Sequence, residues 1–236
     1  MNIDLHGADY VALLVFVACW MGTDWLIAHR SARHPGVHDL IRPVRSAWMR
    51  EAQRRDIRIA DAGLIGHLIH SATFFSSTTA LILGGLLALL GTALKSVEAV
   101  KNLPFAIEAS QQALEIKVLV AILVFVVAFF RFTWSLRQFN LVTIYMGAMP
   151  NPARSDPITD RATTVAGRLM SLAGENFIKG LRCYYFSIPV VCWLAQPWLF
   201  VAASVVVAGV IYWMDFHSRT LEAMRVGDER GSPTDD

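Results

Sequence analysis

The sequence predicts an all-α fold, a polytopic bundle of membrane-spanning helices, and three observations predict it. Of its 236 residues 55% are hydrophobic and only 17% charged, against about 45–50% and about 25% for soluble domains, and the mean hydropathy is +0.45. No Asp, Glu, Lys or Arg occurs from Ala62 to Leu94, a run of 33 residues, or from Cys183 to Met214, a run of 32. A helix needs only about 20 apolar residues to cross a bilayer. The composition excludes a chain that is disordered, collagen-like or repeat-rich as a whole and argues against a soluble enzyme. The net charge of +2 is too small to suggest a nucleic-acid partner. Three cysteines (Cys19, Cys183, Cys192) without paired ligand spacing suggest neither a disulfide framework nor zinc.

The first expected crossing is 10–29. The segment before it has no Lys or Arg and lacks the basic start of a cleaved signal peptide, so this stretch is expected to stay as an anchor. Between Arg30 and Asp61 eight arginines face four acids, net +4. The positive-inside rule makes this loop cytoplasmic and the N-terminus outside. Within the basic segment 30–61, Ile41, Val44, Trp48 and Met49 lie among arginines at helical spacing. Two readings are open: an amphipathic helix on anionic headgroups, contacting them over 30–58, or a solvated basic loop packed on the rest of the protein.

The second crossing, 64–91, carries Ala72, Ser76, Ala80, Gly84 and Ala88 at every fourth position, a ridge of small side chains that predicts a close-packed helix seam. Self-association through such a ridge, giving a homo-oligomer, is the alternative use. From Thr92 to Lys117 the charge balances, as in an outside loop, with Pro104 dividing two short helices. The third crossing, 114–134, spans if Arg131 and Arg137 reach the inner interface with Trp134. No helix breaker follows until Gly147 and Pro150, so this helix should extend into the cytoplasm. A turn-rich loop holds Asn151-Pro152 and Asp156-Pro157, and an amphipathic helix covers Thr159 to Arg182. From Arg131 to Arg182 the balance is again net +4. The final apolar run reads as two crossings, 178–195 and 198–216, broken at Gln196-Pro197, where Pro197 suits a first helical turn. Five crossings put the C-terminus inside; four crossings with it outside is the alternative. One domain over 1–226 with a disordered tail, 227–236, completes the organisation.

The stretch Arg131-Phe-Thr-Trp-Ser-Leu-Arg-Gln-Phe-Asn140, the ending Gly147-Ala148-Met149-Pro150, the stretch Asn176 to Phe186, the run Thr73 to Thr78 and the run Gly84 to Gly91 resemble the bacterial domain of unknown function 599 family. The resemblance covers nearly the whole chain. It implies a multi-pass protein of the bacterial inner membrane and supplies no catalytic residues.

Polar groups at membrane depth are costly and mark candidate sites. Most here fall toward the cytoplasmic half, and a polar cavity is expected from Asp24, His67, His70, Ser71, Arg131, Gln138, Asn140, Glu175, Asn176 and Arg182. His67 and His70, three apart, share a helix face and are candidate metal ligands, with His29 or His217 as a third; interfacial histidines with ordinary hydrogen bonds are the commoner case. Glu175, Lys179 and Arg182 form a ladder that can pair internally or with Asp24 or Asp215. Arg131, Arg137 and Arg182 are a candidate anion pocket. Hydroxyls from Ser71 to Thr79 can back-bond to their own helix. No Walker, Rossmann, zincin or G-x-S-x-G pattern occurs. The expectation is a non-enzymatic membrane component with no cofactor and the lipid bilayer as partner. The alternatives are a channel or transporter for a small polar solute or ion and a metal-dependent membrane enzyme using His67 and His70.

Overall fold

A computed structural model describes residues 7–91, 111–149 and 157–229. These form seven helices: α1 (Gly7–Ser31), α2 (Val37–Arg54), α3 (Ile59–Gly91), α4 (Gln111–Ala148), α5 (Pro157–Ala195), α6 (Pro197–Phe216) and α7 (Arg219–Glu229). The expected loop around Pro104 and the turns at Asn151-Pro152 and Asp156 lie outside the described residues. Among the described residues four stretches are long and apolar enough to cross a membrane: Gly7–Ser31, Ile59–Gly91, Gln111–Ala148 and Pro197–Arg225. The protein is an all-α polytopic bundle.

The expected crossing 178–195 and the expected amphipathic helix from Thr159 join into one 39-residue helix, α5. Its apolar end is interrupted by Lys179 and Arg182, so length and composition alone do not single it out. The break at Gln196 is present, with Pro197 opening α6, where its missing N–H costs nothing. The third helix runs on to Ala148, as the lack of a breaker requires. At the other end of the chain α7 continues to Glu229, three residues into the segment expected as a tail.

Helix directions follow from two sets of contacts. At one end, Trp193 Nε1 on α5 donates to Asp9 Oδ1 on α1 at 2.7 Å, and Lys117 Nζ on α4 donates to the Trp193 carbonyl at 2.8 Å. The Trp193 ring stacks on Phe200 of α6 at 4.6 Å. At the opposite end, Arg182 on α5 binds Asp24 on α1 and Asp215 on α6. Hence α1 and α6 run parallel and α5 runs against both. Asp9 and Asp24 are fifteen residues apart, about 22 Å of helix, less than the roughly 30 Å of a hydrocarbon core. α1, α5 and α6 therefore run side by side between these two levels, and α4 joins them at the Trp193 level.

Two apolar clusters fill the interior. Phe16, Val124, Phe132, Phe186, Trp193 and Phe200 pack between the two charged ends. Met49, Ile65, Phe139, Val142, Met146 and Met170 pack where α2 lies over α3, α4 and α5. Phe177, which packs against both, links them. The basic segment forms the expected helix, α2, and one side of it packs on the protein: Met49 and Ala52 are fully buried, and the α2 backbone at Ser46 closes on Gly167, where an added Cβ would sit 3.2 Å from the Ser46 Cα. Arg58 fixes the turn into α3, donating to the carbonyls of Ala52, Gln53 and Met149.

The ridge on α3 is corrected. Ala72 and Ser76 are buried, but Ala80 and Gly84 are exposed, and the buried line passes instead through Ala72, Ser76 and Thr79. A strict four-residue repeat advances 400° per step on a helix of 3.6 residues per turn, so it drifts by about 40° each time and rotates off the seam.

Gly180 is the tightest apolar contact. An added Cβ would lie 2.6 Å from the Phe132 ring, itself completely buried. Gly180→Ala should therefore overpack the α4–α5 interface and cost about 1–3 kcal/mol, read as a lowered unfolding midpoint of the purified protein in detergent; an unchanged midpoint would show that the interface is looser than described.

Candidate functional site: a charged vestibule at the basic end

At the basic end, α1, α2 and α5 enclose a polar cavity of about 390 Å³. Its walls carry Asp24 and Ser31 from α1, His38, Asp39 and Arg42 from α2, and Glu175, Lys179 and Arg182 from α5. The floor is the Arg182 guanidinium. Its Nη1 donates to Asp24 Oδ1 at 2.6 Å and its Nη2 to Asp215 Oδ2 at 2.9 Å, so one planar fork ties three helices. Arg182 suits this because its donors have fixed directions and its charge persists when buried. The rim is closed by an ion pair between Arg42 and Glu175. Glu175 thus pairs with α2 across the cavity rather than with Lys179 on its own helix.

His38 lies among these charges. Burial pushes its imidazole down to about 4, helped by the positive charge of Arg45 and then of Arg182 and Arg42, against the opposing pull of Glu175. It is neutral at pH 7.

A second polar chain joins α4 to α5 away from the cavity. Arg131 Nη1 donates to Asn176 Oδ1 at 3.2 Å, Asn176 Nδ2 donates to Gln138 Oε1 at 3.0 Å, and Ser135 Oγ donates to the Ala173 carbonyl at 2.8 Å. These groups satisfy one another, as buried polar groups must.

The structure thus brings Asp24, Glu175 and Arg182 into one vestibule and puts Arg131, Gln138 and Asn176 into the separate chain. Ser71 borders an apolar groove and donates to the His67 carbonyl. Asn140, His67 and His70 are exposed on the outer faces of α4 and α3. The expected third ligand does not join the two histidines: His29 stacks on Trp25, His217 sits against Tyr212, and no group of three His, Cys, Asp or Glu side chains converges among the described residues. The candidate anion pocket is likewise not assembled. Arg131 holds Asn176, Arg137 lies over the Trp134 ring, and Arg182 holds two acids. Ser71, Thr73 and Thr79 do back-bond to carbonyls four residues earlier.

Sequence reasoning missed the α2 contribution. Arg42 was counted as a topology charge, yet His38, Arg42 and Arg45 stand at i, i+4 and i+7 and so share one helix face. That spacing was the available signal.

These features define a class: a polytopic helical membrane protein whose basic end is closed by a network of paired charges around a small cavity. Within that class, the chain belongs to the family described as Protein of unknown function, DUF599, whose model matches residues 11–220. Comparison with curated proteins and with solved structures gives no match.

Two outcomes test the site. Arg182→Met leaves two carboxylates without their cation and should cost about 3 kcal/mol, the low end for breaking a buried pair because Asp24 is 41% exposed. Adding Asp24→Asn and Asp215→Asn should recover most of that loss in the same detergent unfolding assay. A triple variant no better than the single one would show that charge compensation is not what Arg182 supplies. Second, the folded state holds His38 below the ordinary 6.5, so between about 6.5 and about 4 the unfolded chain takes up a proton that the folded chain refuses. Stability should fall as pH drops through that window, and His38→Gln should flatten that part of the profile; a profile of equal slope in the variant would put the titration elsewhere.

Proposed function

We propose that this protein is a non-enzymatic, multi-pass component of the bacterial inner membrane, crossing five times with α1 starting outside and α2 and α7 on the cytoplasmic side. The observation that carries the reading is the Arg182 bridge. A buried charge that could line a path between helices is spent instead on joining α1, α5 and α6. Five crossings are supported by this side-by-side course: the apolar end of α5 runs from the Arg182 level to the Trp193 level beside α1 and α6. The orientation is supported by the two net +4 segments, which meet at one end of the bundle. The inner-membrane assignment is supported by the family resemblance and by that charge bias.

The vestibule favours a second reading, a carrier for a small polar solute. Its wall sets three acids (Asp24, Asp39, Glu175) against three bases (Arg42, Lys179, Arg182), a balance that suits a zwitterion or a neutral polar molecule. One labelling experiment separates the two. A cysteine at Lys179, in a chain whose three native cysteines are replaced by alanine, should react with a membrane-impermeant maleimide only in inside-out vesicles, with or without an ion gradient. Reaction from both sides under a gradient would favour the carrier; reaction only in right-side-out vesicles would reverse the orientation.

A further inference from the structure

Beneath α2 lies a second cavity of about 620 Å³, distinct in chemistry from the vestibule. Ile41, Val44 and Trp48 of α2 form one wall, Leu68 and Phe75 of α3 another, and Met170 and Phe177 of α5 the base. In this apolar lining the only charged side chain is Arg45. Its guanidinium lies flat against Gly174, so closely that a Cβ there would collide with it. Its Nη1 is shut off from solvent and has no hydrogen-bond partner. Glu175, whose negative charge Arg45 feels, is already engaged by Arg42. A buried guanidinium N–H without an acceptor is costly, and a negatively charged acceptor in the groove, met by a small turn of the Arg45 side chain, would relieve that cost.

We propose that this groove is a binding site for an anionic phospholipid, the phosphate accepting from Arg45 and one acyl chain lying between α2, α3 and α5. Three observations single out a lipid over a soluble anion. The volume falls in the range of small-molecule sites, about 300–1,000 Å³, yet the walls are almost wholly apolar. The mouth is edged by Val44, 61% exposed, and Leu68, 37% exposed, on the outer surface of the bundle. The groove also sits where the interface is expected: Phe75 and Phe177 face Phe132, fifteen residues or about 22 Å of helix from Lys117 at the other end, so Arg45 and Gly174 fall near the edge of a hydrocarbon core of roughly 30 Å. Arginine is well matched to phosphate because its planar fork can donate two parallel hydrogen bonds.

The assignment rests on the reading that α2 lies at a membrane interface, though not on which side. Full-length protein, delipidated in a neutral detergent, is titrated with phosphatidylglycerol, with phosphatidylcholine of the same chains, and with glycerol phosphate, and the unfolding midpoint is followed. Phosphatidylglycerol should raise the midpoint saturably at concentrations at least tenfold below those needed of phosphatidylcholine, and glycerol phosphate should have no effect. Arg45→Met should abolish the preference between the two lipids. Without lipid that variant should unfold no earlier than the native chain, because it removes an unpartnered charge, which distinguishes lost binding from misfolding. Gly174→Ala, which keeps the charge but displaces it, should weaken the preference, and Arg50→Gln, on the exposed side of α2, should leave it intact. An equal preference in Arg45→Met would overturn the proposal, as would a midpoint raised equally by glycerol phosphate, which would make the site one for a soluble anion. Either failure leaves the vesicle labelling of Lys179→Cys unaffected.

Discussion

The interaction on which the rest depends is the fork from Arg182 to Asp24 and Asp215. A lone guanidinium or carboxylate inside a bilayer costs on the order of 2.5–3.5 kcal/mol even on insertion scales, and none of the three helices can keep its own charge there alone. Joined, the charges set where α1 and α6 end relative to α5 and make their parallel course obligatory. With the Trp193 bond to Asp9 at the other end, each of α1 and α5 is pinned twice, which leaves little freedom of tilt or rotation between them.

The long helix α5 gives this constraint its reach. Its apolar end runs beside α1 and α6, and its charged middle carries Arg182, Lys179 and Glu175. Its first half receives α2 through glycines and small side chains. Close approach at Gly167 and Gly174 lets α2 lie directly on α5, so residues of the basic segment reach into the bundle. Two unlike cavities result on either side of that contact. The vestibule toward α1 is polar and its charges are largely paired. The groove toward α3 is apolar and holds an arginine without an acceptor. The first can be stable empty of solute; the second gains from an anion.

Much of the fold was legible because bilayer and charge impose simple rules. Apolar runs without charge located the long apolar helices, Gln196-Pro197 marked the turn between α5 and α6, and the absence of a breaker before Gly147 lengthened α4. Asp24, Glu175 and Arg182 were recognisable as one cluster because charges at helix ends within or near a membrane have few possible partners. What escaped was three-dimensional. The ridge from Ala72 to Ala88 matched a motif in sequence but drifts off the seam in space. His67 and His70 share a face, and nothing in their spacing says whether that face turns inward. Arg42 and Arg45 could not be told from headgroup arginines without knowing that glycines on α5 admit α2 so closely, and Arg45 stands out only once its missing acceptor is visible.

The central claim, that Arg182 holds the ends of α1 and α6 together, is tested most directly by a distance distribution between them. Spin labels at Leu26→Cys and Val210→Cys, both on exposed positions, can be measured by double electron–electron resonance in lipid, in chains carrying either Arg182 or Arg182→Met. The bridge predicts one narrow distribution in the first and a longer, broadened one in the second. The same narrow distribution in both would contradict it.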